Sequence, residues 1–289
     1  MLNVARLLPS GLRNGYNLAV AVRNRLYMIE SCSDAFEQGD AHYYSGGLHC
    51  LAANRDDHCL TAADRSRDQK WDWRQLPDSP GFSWSWSNWP PELRFDAQSI
   101  IAHAVHPRGR TIFLSVAAGE YPVESGTYTY GTGSGRWRRC GNWMLPFKGQ
   151  GHYDYELDAW VGLHLPPDEV ETSDVADGHI CACSVTSAAA SRLQPPEWKV
   201  GREKLFLEDT DWRHMDAKLV YMGEGSMYCL VERLQGEGSL LKKYGLRLTT
   251  FSLRYGEDGE LLTVAHRPAG FYEFLSCSSG DFVAQAFWM

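Results

Sequence analysis

Long apolar runs, secretion signals and glycosylation sites are all missing from this sequence of 289 residues. Its apolar runs are short, as at Leu18–Val22, whereas a helix needs about 20 apolar residues to cross a bilayer. No apolar signal core with a small-residue cleavage site occurs near the start, and no Asn-x-Ser/Thr acceptor sequence occurs anywhere. The sequence therefore predicts neither a membrane-spanning helix nor a secretory signal.

The cysteine content does not indicate a disulfide scaffold either. Eight cysteines in 289 residues fall below the density that is typical of secreted disulfide scaffolds. We therefore expect reduced and mostly buried thiols rather than disulfides.

Catalytic and nucleotide-binding signatures are also missing. No Gly-x-Ser-x-Gly, His-Glu-x-x-His or dinucleotide sequence occurs, and no Lys-Ser/Thr pair follows the glycine-rich run 131–135, which predicts a hairpin turn. We therefore expect no enzyme activity, no catalytic residues and no cofactor. The alternative is a propeller enzyme that acts on a sugar or small molecule at a central funnel. Its candidate side chains are Asp154, Glu156, Asp158, His103, His106 and His152.

Acidic residues outnumber basic ones by 36 to 28, which gives a net charge of −8. This balance excludes a general affinity for nucleic acid, because such binding needs a basic surface. The first 29 residues nevertheless contain four arginines, Arg6, Arg13, Arg23 and Arg25, and no acid. We expect a cytoplasmic protein, and the alternative is mitochondrial import directed by this acid-free N-terminus.

Strand patterns recur along the whole chain, while helix patterns are nearly absent apart from Thr61–Gln69. Seventeen or eighteen short apolar segments, separated by Gly, Pro and Asn turns at 8–12-residue spacing, predict an all-β fold. We expect Tyr155–Asp158 to bridge into a strand at Trp160–Leu165. Two further strands, Phe271–Leu275 and Phe282–Trp288, are expected to close the chain.

The strands group into four units of about 50 residues, a size typical of kelch-type propeller blades. The units are 16–78, 97–147, 151–206 and 214–268, and the pair at 271–289 is left over. These units predict a kelch-like β-propeller of four to five blades, whose last blade is incomplete or closed by the chain termini. A sandwich remains the alternative. We expect one domain over residues 17–289, preceded by a tail or short targeting segment at 1–16.

One stretch of the chain carries a family resemblance. It comprises Gly126-Thr-Tyr-Thr-Tyr-Gly-Thr-Gly-Ser-Gly-Arg-Trp137, Gly141-Asn-Trp-Met-Leu-Pro-Phe147, Tyr155-Glu-Leu-Asp-Ala-Trp-Val-Gly-Leu163 and His179-Ile-Cys-Ala-Cys183. It resembles a group of uncharacterised plant proteins, expanded in grasses, with kelch-like or F-box-associated propeller repeats. The resemblance implies a non-catalytic propeller that binds proteins, in a reproductive or toxin/antidote context. No F-box-like segment precedes the repeats in this sequence, so a ubiquitin-ligase adaptor role is not implied.

An aromatic segment is the candidate partner-binding site. Phe82, Trp84 and Trp86 alternate with serines and are followed by Trp89, so an extended segment would present one aromatic face. Packing of this face against a neighbouring blade is the alternative. We expect the partner to be another protein and the chain to be monomeric.

Histidine–cysteine clusters raise the question of a metal site. On a strand, His179, Cys181 and Cys183 would point to one face, and both residue types are zinc ligands. No Cys-x-x-Cys pair supplies further ligands, so we expect small buried thiols and no metal site. The pairs His49-Cys50 and His58-Cys59 are interpreted in the same way.

Overall fold

A computed structural model describes residues 17–30, 48–53, 71–76, 99–117, 125–166, 176–186, 194–236 and 243–275, and strands account for most of these residues. No α-helix occurs within these ranges, so the predicted all-β fold is confirmed. The sixteen strands are β1 (Asn17–Val22), β2 (Arg25–Glu30), β3 (Leu48–Ala53), β4 (Trp71–Gln75), β5 (Ile100–Val105), β6 (Thr111–Val116), β7 (Gly126–Gly131), β8 (Arg136–Gly141), β9 (Phe147–Asp154), β10 (Ala159–His164), β11 (Ile180–Ser184), β12 (Trp198–Val200), β13 (Trp212–Gly223), β14 (Met227–Gly236), β15 (Lys243–Tyr255) and β16 (Leu261–Leu275).

The chain divides into two units. The first comprises Met1–Ile101 with Val105–Asn142, and the second comprises Ala102–Ala104 with Trp143–Met289. The expectation of one domain over 17–289 stays a prediction, as does the arrangement of the sheets as propeller blades.

In the first unit, β1 to β4 form a four-stranded antiparallel sheet in chain order. The strands β6, β7 and β8 form a second antiparallel ladder. Apolar side chains from both ladders meet in a shared core. Val20, Tyr27, Leu48, Leu114 and Tyr128 are among the buried members of that core.

In the second unit, β9 to β12 form an antiparallel ladder, and Ala102–Ala104 of β5 pairs in parallel with β9. The strands β13 to β16 form another four-stranded antiparallel sheet in chain order. Val161 and Leu163 on β10 pack with Tyr228 and Phe251 of that sheet, so the unit has a core between two sheets.

One aromatic ring explains why β9 forms although its sequence is rich in glycine. Phe147 lies against Gly151 and Gly162, and a Cβ atom on Gly162 would be only 2.6 Å from the Phe147 Cβ. The ring thus occupies the volume that two side chains would otherwise fill. The sequence does not predict β9, because Lys148-Gly-Gln-Gly-His152 lacks apolar alternation.

Two expected strands are corrected by the structure. Tyr155–Asp158 is a turn between β9 and β10 and not part of a strand. Phe271–Leu275 is not a separate strand, because it is the end of the continuous β16. The expected strand at Phe282–Trp288 and the expected helical turns at Thr61–Gln69 lie outside the described residues.

Candidate functional site

The turn that joins β9 to β10 is built around a buried carboxylate. Asp154 is fully buried, and its Oδ1 accepts hydrogen bonds from the backbone N–H groups of Glu156 (2.9 Å) and Leu157 (3.2 Å). Side-chain donors come from β14 and the turn before it. The Ser226 hydroxyl donates to Oδ1 (2.9 Å) and the Tyr228 hydroxyl to Oδ2 (2.8 Å). Asp154 therefore fixes the turn and ties it to the second sheet.

The tip of this turn exposes a tyrosine. Tyr155 is 75% exposed, and its ring meets that of Tyr153 edge-on at 4.8 Å between centroids. The Tyr153 hydroxyl donates to Asp158 Oδ1 at 2.5 Å, and this bond raises the pKa of Tyr153 to about 12. Asp158 has a φ of 47°, a left-handed conformation that Asp tolerates better than most residues and that closes the turn.

Two neighbouring turns lie at the same end of the second unit. Glu156 Oε1 accepts a hydrogen bond from the Gly225 N–H (2.9 Å), which joins the Tyr155 turn to the β13–β14 turn. Asp154 and Asp158 lie close enough to Tyr255, at the end of β15, to raise its pKa, although burial is the larger cause.

Together these turns form one aromatic surface. Tyr221 of β13 has its ring 5.2 Å from that of Tyr228, which itself binds Asp154. Lys199 Nζ lies 4.9 Å from the centre of the Tyr255 ring, a cation–π contact, and donates to the Gly259 carbonyl. We call Tyr153, Tyr155, Tyr221 and Tyr255 the tyrosine surface.

A second buried carboxylate is also occupied by structural bonds. Glu232 on β14 is fully buried and accepts hydrogen bonds from His214 Nδ1 (2.9 Å) and Arg247 Nη1 (3.0 Å). The Leu207 N–H donates to the same carboxylate, and Arg247 also reaches the Leu205 carbonyl. The cluster therefore ties the segment before β13 to the sheet β13–β16.

The histidine–cysteine segment places two thiols in buried positions. Cys181 and Cys183 are buried on β11, and the Cys181 thiol donates to the Pro146 carbonyl at 3.1 Å. Burial raises the pKa of both thiols, that of Cys183 to about 12. His179 Nδ1 lies 3.0 Å from the Gly201 carbonyl. Among the described residues, no group of three or more His, Cys, Asp and Glu side chains is arranged to hold a metal ion.

Two of the three histidines of the alternative funnel site interact with each other. His103 on β5 is buried, and burial together with the charge of His152 lowers its pKa to about 4. His152 Nε2 donates to the Leu219 carbonyl at 2.8 Å, and burial lowers the pKa of His152 too. His106 belongs to the first unit, in the turn between β5 and β6.

The structure brings together Asp154, Glu156 and Asp158 in one turn, but only Asp154 of the three is buried. The run 131–135 forms the β7–β8 turn, in which Gly135 N–H donates to the Gly131 carbonyl, so the predicted hairpin is confirmed. The candidate partner-binding residues lie outside the described residues, as do His58 and Cys59. These candidates are Phe82, Trp84, Trp86 and Trp89.

The tyrosine surface is not predicted from the sequence. Its signal is the segment His152-Tyr-Asp-Tyr-Glu-Leu-Asp158, in which tyrosines alternate with other residues around a single Asp. Tyr221 and Tyr255 are far away in sequence, and only the pairing of the strands brings them to the same end.

The comparison with protein families identifies the chain at the level of a family. The family model described as a protein of unknown function (DUF1668) matches residues 4–272, and the chain therefore belongs to this family. No curated protein matches the chain. The resemblance to kelch-like, grass-expanded proteins stays a prediction. Within the described ranges, no helix has the length and apolar character needed to cross a membrane.

Proposed function

We propose that the chain is a non-catalytic module that binds another protein through the tyrosine surface. The observation that carries this proposal is the exposure of two tyrosines of this surface, Tyr155 at 75% and Tyr255 at 37%. Tyrosine side chains contribute large contact areas at a low cost in conformational entropy, and they are enriched where interfaces have most of their binding energy.

The bonding around this surface supports a binding role over a catalytic one. All the polar bonds of the Asp154 carboxylate that the structure describes go to protein donors, four in number. Tyr153 and Tyr228 have raised pKa values and therefore hold their protons at neutral pH. A turn fixed in this way presents Tyr155 in a preformed position, which lowers the entropy lost on binding.

Affinity capture with matched variants tests the proposal. We expect the wild-type chain to recover a reproducible protein partner from its native tissue, and the double variant Tyr155→Ala/Tyr255→Ala to lose it. Tyr272→Ala is the control. Tyr272 is also exposed, at 58%, but it lies near the C-terminal end of β16 and is not part of the tyrosine surface. Capture should fall at least about tenfold in the double variant, the effect of roughly 1.4 kcal/mol.

Two results would contradict the proposal. One is that the wild-type chain recovers no reproducible partner. The other is that Tyr272→Ala and the double variant lose the same partner to the same extent. Thermal unfolding of all three proteins shows whether a loss of binding comes from unfolding.

We further propose that the sheets are blades of a kelch-like β-propeller with four to five blades. The support is that β1–β4 and β13–β16 are each four antiparallel strands in strict chain order, as in a propeller blade. An experimental structure of the full chain tests this proposal. Sheets stacked as a sandwich would contradict it.

A further inference from the structure

Arginine is frequent in the described strands and turns of the first unit. These described residues contain eight arginines and no lysine, against two acidic residues, Glu30 and Asp72. The unit as a whole has 15 basic and 14 acidic residues, so its charge is nearly balanced. The arginines are therefore notable for where they lie and not for the net charge of the unit.

Five of these arginines lie at neighbouring turns. The Arg23 guanidinium donates to the Arg108 carbonyl at 2.7 Å, which joins the β1–β2 turn to the β5–β6 turn. The Thr132 N–H donates to the Arg110 carbonyl, which places the β7–β8 turn beside them. Arg136 begins β8 opposite Gly131, at that same turn. All five side chains are exposed, and we call them the arginine surface: Arg23, Arg25, Arg108, Arg110 and Arg136.

No described carboxylate compensates this charge. None of the five arginines forms an ion pair with an acidic residue within the ranges that the structure describes. A hydrogen bond with the Tyr27 side chain raises the pKa of Arg25, so Arg25 stays charged. The arginine surface therefore repels cations and attracts anionic groups across about one Debye length, roughly 8–10 Å.

We propose that the arginine surface binds an acidic segment, rich in Asp and Glu, of a partner protein. Guanidinium groups bind carboxylates bidentately, and a surface made only of arginine suits this geometry better than one made of lysine. This inference shares one premise with the proposed function, namely that the ligand is a protein. It concerns a different surface from the tyrosines.

Other anionic ligands fit the described residues less well. Single-stranded nucleic acid needs exposed aromatic rings for base stacking, and every exposed large apolar side chain that the structure describes belongs to the second unit. A long polyanion would also extend beyond the arginine surface over a chain whose total net charge is −8, whereas a short acidic segment contacts mainly the arginine surface.

Fluorescence anisotropy with a short labelled peptide of Glu, Asp and Ser tests the proposal on the full chain. We expect the peptide to bind the wild-type chain and to bind the variant Arg108→Glu/Arg110→Glu at least about tenfold more weakly. The matched control is Arg202→Glu/Arg254→Glu, which changes the net charge equally at exposed arginines of the second unit. The control should bind like the wild type, and binding should weaken between about 50 and about 300 mM salt.

Three outcomes overturn the proposal. An equal loss in both double variants means that net charge alone attracts the peptide, and no binding to the wild type means that the arginine surface is not a site. A single-stranded DNA or inorganic phosphate that binds more tightly than the peptide, with the same loss in Arg108→Glu/Arg110→Glu, identifies a phosphate site instead. If that variant unfolds, Arg136→Gln replaces it, with an expected loss of about threefold. Failure of peptide binding while the tyrosine-dependent partner is still captured contradicts only this inference.

Discussion

At the scale of the residue, Asp154 combines burial with an unusually complete set of donors. Two backbone N–H groups and the hydroxyls of Ser226 and Tyr228 surround a carboxylate that has no contact with solvent. Hydrogen bonds to a charged group are stronger than neutral ones, and they offset the cost of removing the carboxylate from water. The turn below Tyr155 depends on this one side chain.

Replacing Asp154 with alanine should lower the free energy of unfolding by about 3 kcal/mol, because the buried Ser226 and Tyr228 hydroxyls lose their acceptor. Urea unfolding followed by circular dichroism measures the change. The control is Glu257→Ala, which removes a carboxylate from an exposed turn. An Asp154→Ala protein as stable as this control would contradict the role of the carboxylate.

At the scale of the element, β9 and β10 depend on a ring that replaces two missing side chains. Phe147 packs over Gly151 and Gly162, which lie on the paired strands β9 and β10. The close contact leaves no room for a methyl group at Gly162, so the glycine is required by packing and not by backbone conformation.

The variant Gly162→Ala should destabilise the fold by about 2 kcal/mol, the usual cost of overpacking a core. Gly133→Ala is the control, because nothing lies within 4 Å of a Cβ atom built at Gly133. Thermal unfolding of the two variants compares them directly. Equal melting temperatures would show that the Phe147 ring moves aside at no cost.

Hairpins with apolar strands could be predicted from the sequence, and strands held by distant residues could not. The apolar segments Asn17–Val22, Arg25–Glu30 and Thr111–Val116 predict strands with the bounds of β1, β2 and β6, and a turn sequence separates β1 from β2. Tyr155–Asp158 has strand-like composition, yet the Asp154 carboxylate binds the backbone N–H groups that a strand would use.

The end of β16 shows a second limit of sequence patterns. Arg267-Pro-Ala-Gly270 reads as a strand break, because proline has no N–H to donate. The strand continues through it, since β16 is the edge of its sheet, where one side of the backbone needs no strand partner. Two register shifts in the β15–β16 pairing accommodate the irregularity.

At the scale of the whole molecule, buried histidines make stability depend on pH. The pKa of His103 is lowered from 6.5 to about 4 in the folded chain, so its contribution to stability is complete above pH 6.5 and is lost as pH falls towards 4. The full contribution amounts to about 3 kcal/mol. The pKa of His152 is lowered as well, which adds in the same direction.

Urea unfolding at a series of pH values measures this dependence. Between pH 6.5 and 4.5 we expect the wild-type chain to lose more stability than His103→Gln, which cannot take up the proton. His152→Gln is the second variant and should flatten the pH dependence in part. Identical pH profiles for the wild type and His103→Gln would contradict the assignment.

The candidate site was only partly predictable at this scale. The sequence shows the acidic residues of the Asp154 turn. It does not show that Asp154 is buried, because its side-chain donors Ser226 and Tyr228 are more than 70 residues away in sequence. The arginine surface is not evident from the sequence, because its arginines come from separate turns and the net charge of −8 averages them with the acidic residues of the chain. Charges that cancel along a chain need not cancel in space.

Charge separation of this kind also affects how the protein behaves on charged media. The isoelectric point of about 5.7 describes the average of the chain, whereas a cation-exchange resin senses only the surface that faces it. A sulfonated bead can hold the protein by Arg23, Arg108 and Arg136 at neutral pH, and a quaternary-amine bead can hold it by its acidic remainder. Retention on both beads is therefore a property of one native molecule, and it does not require two populations.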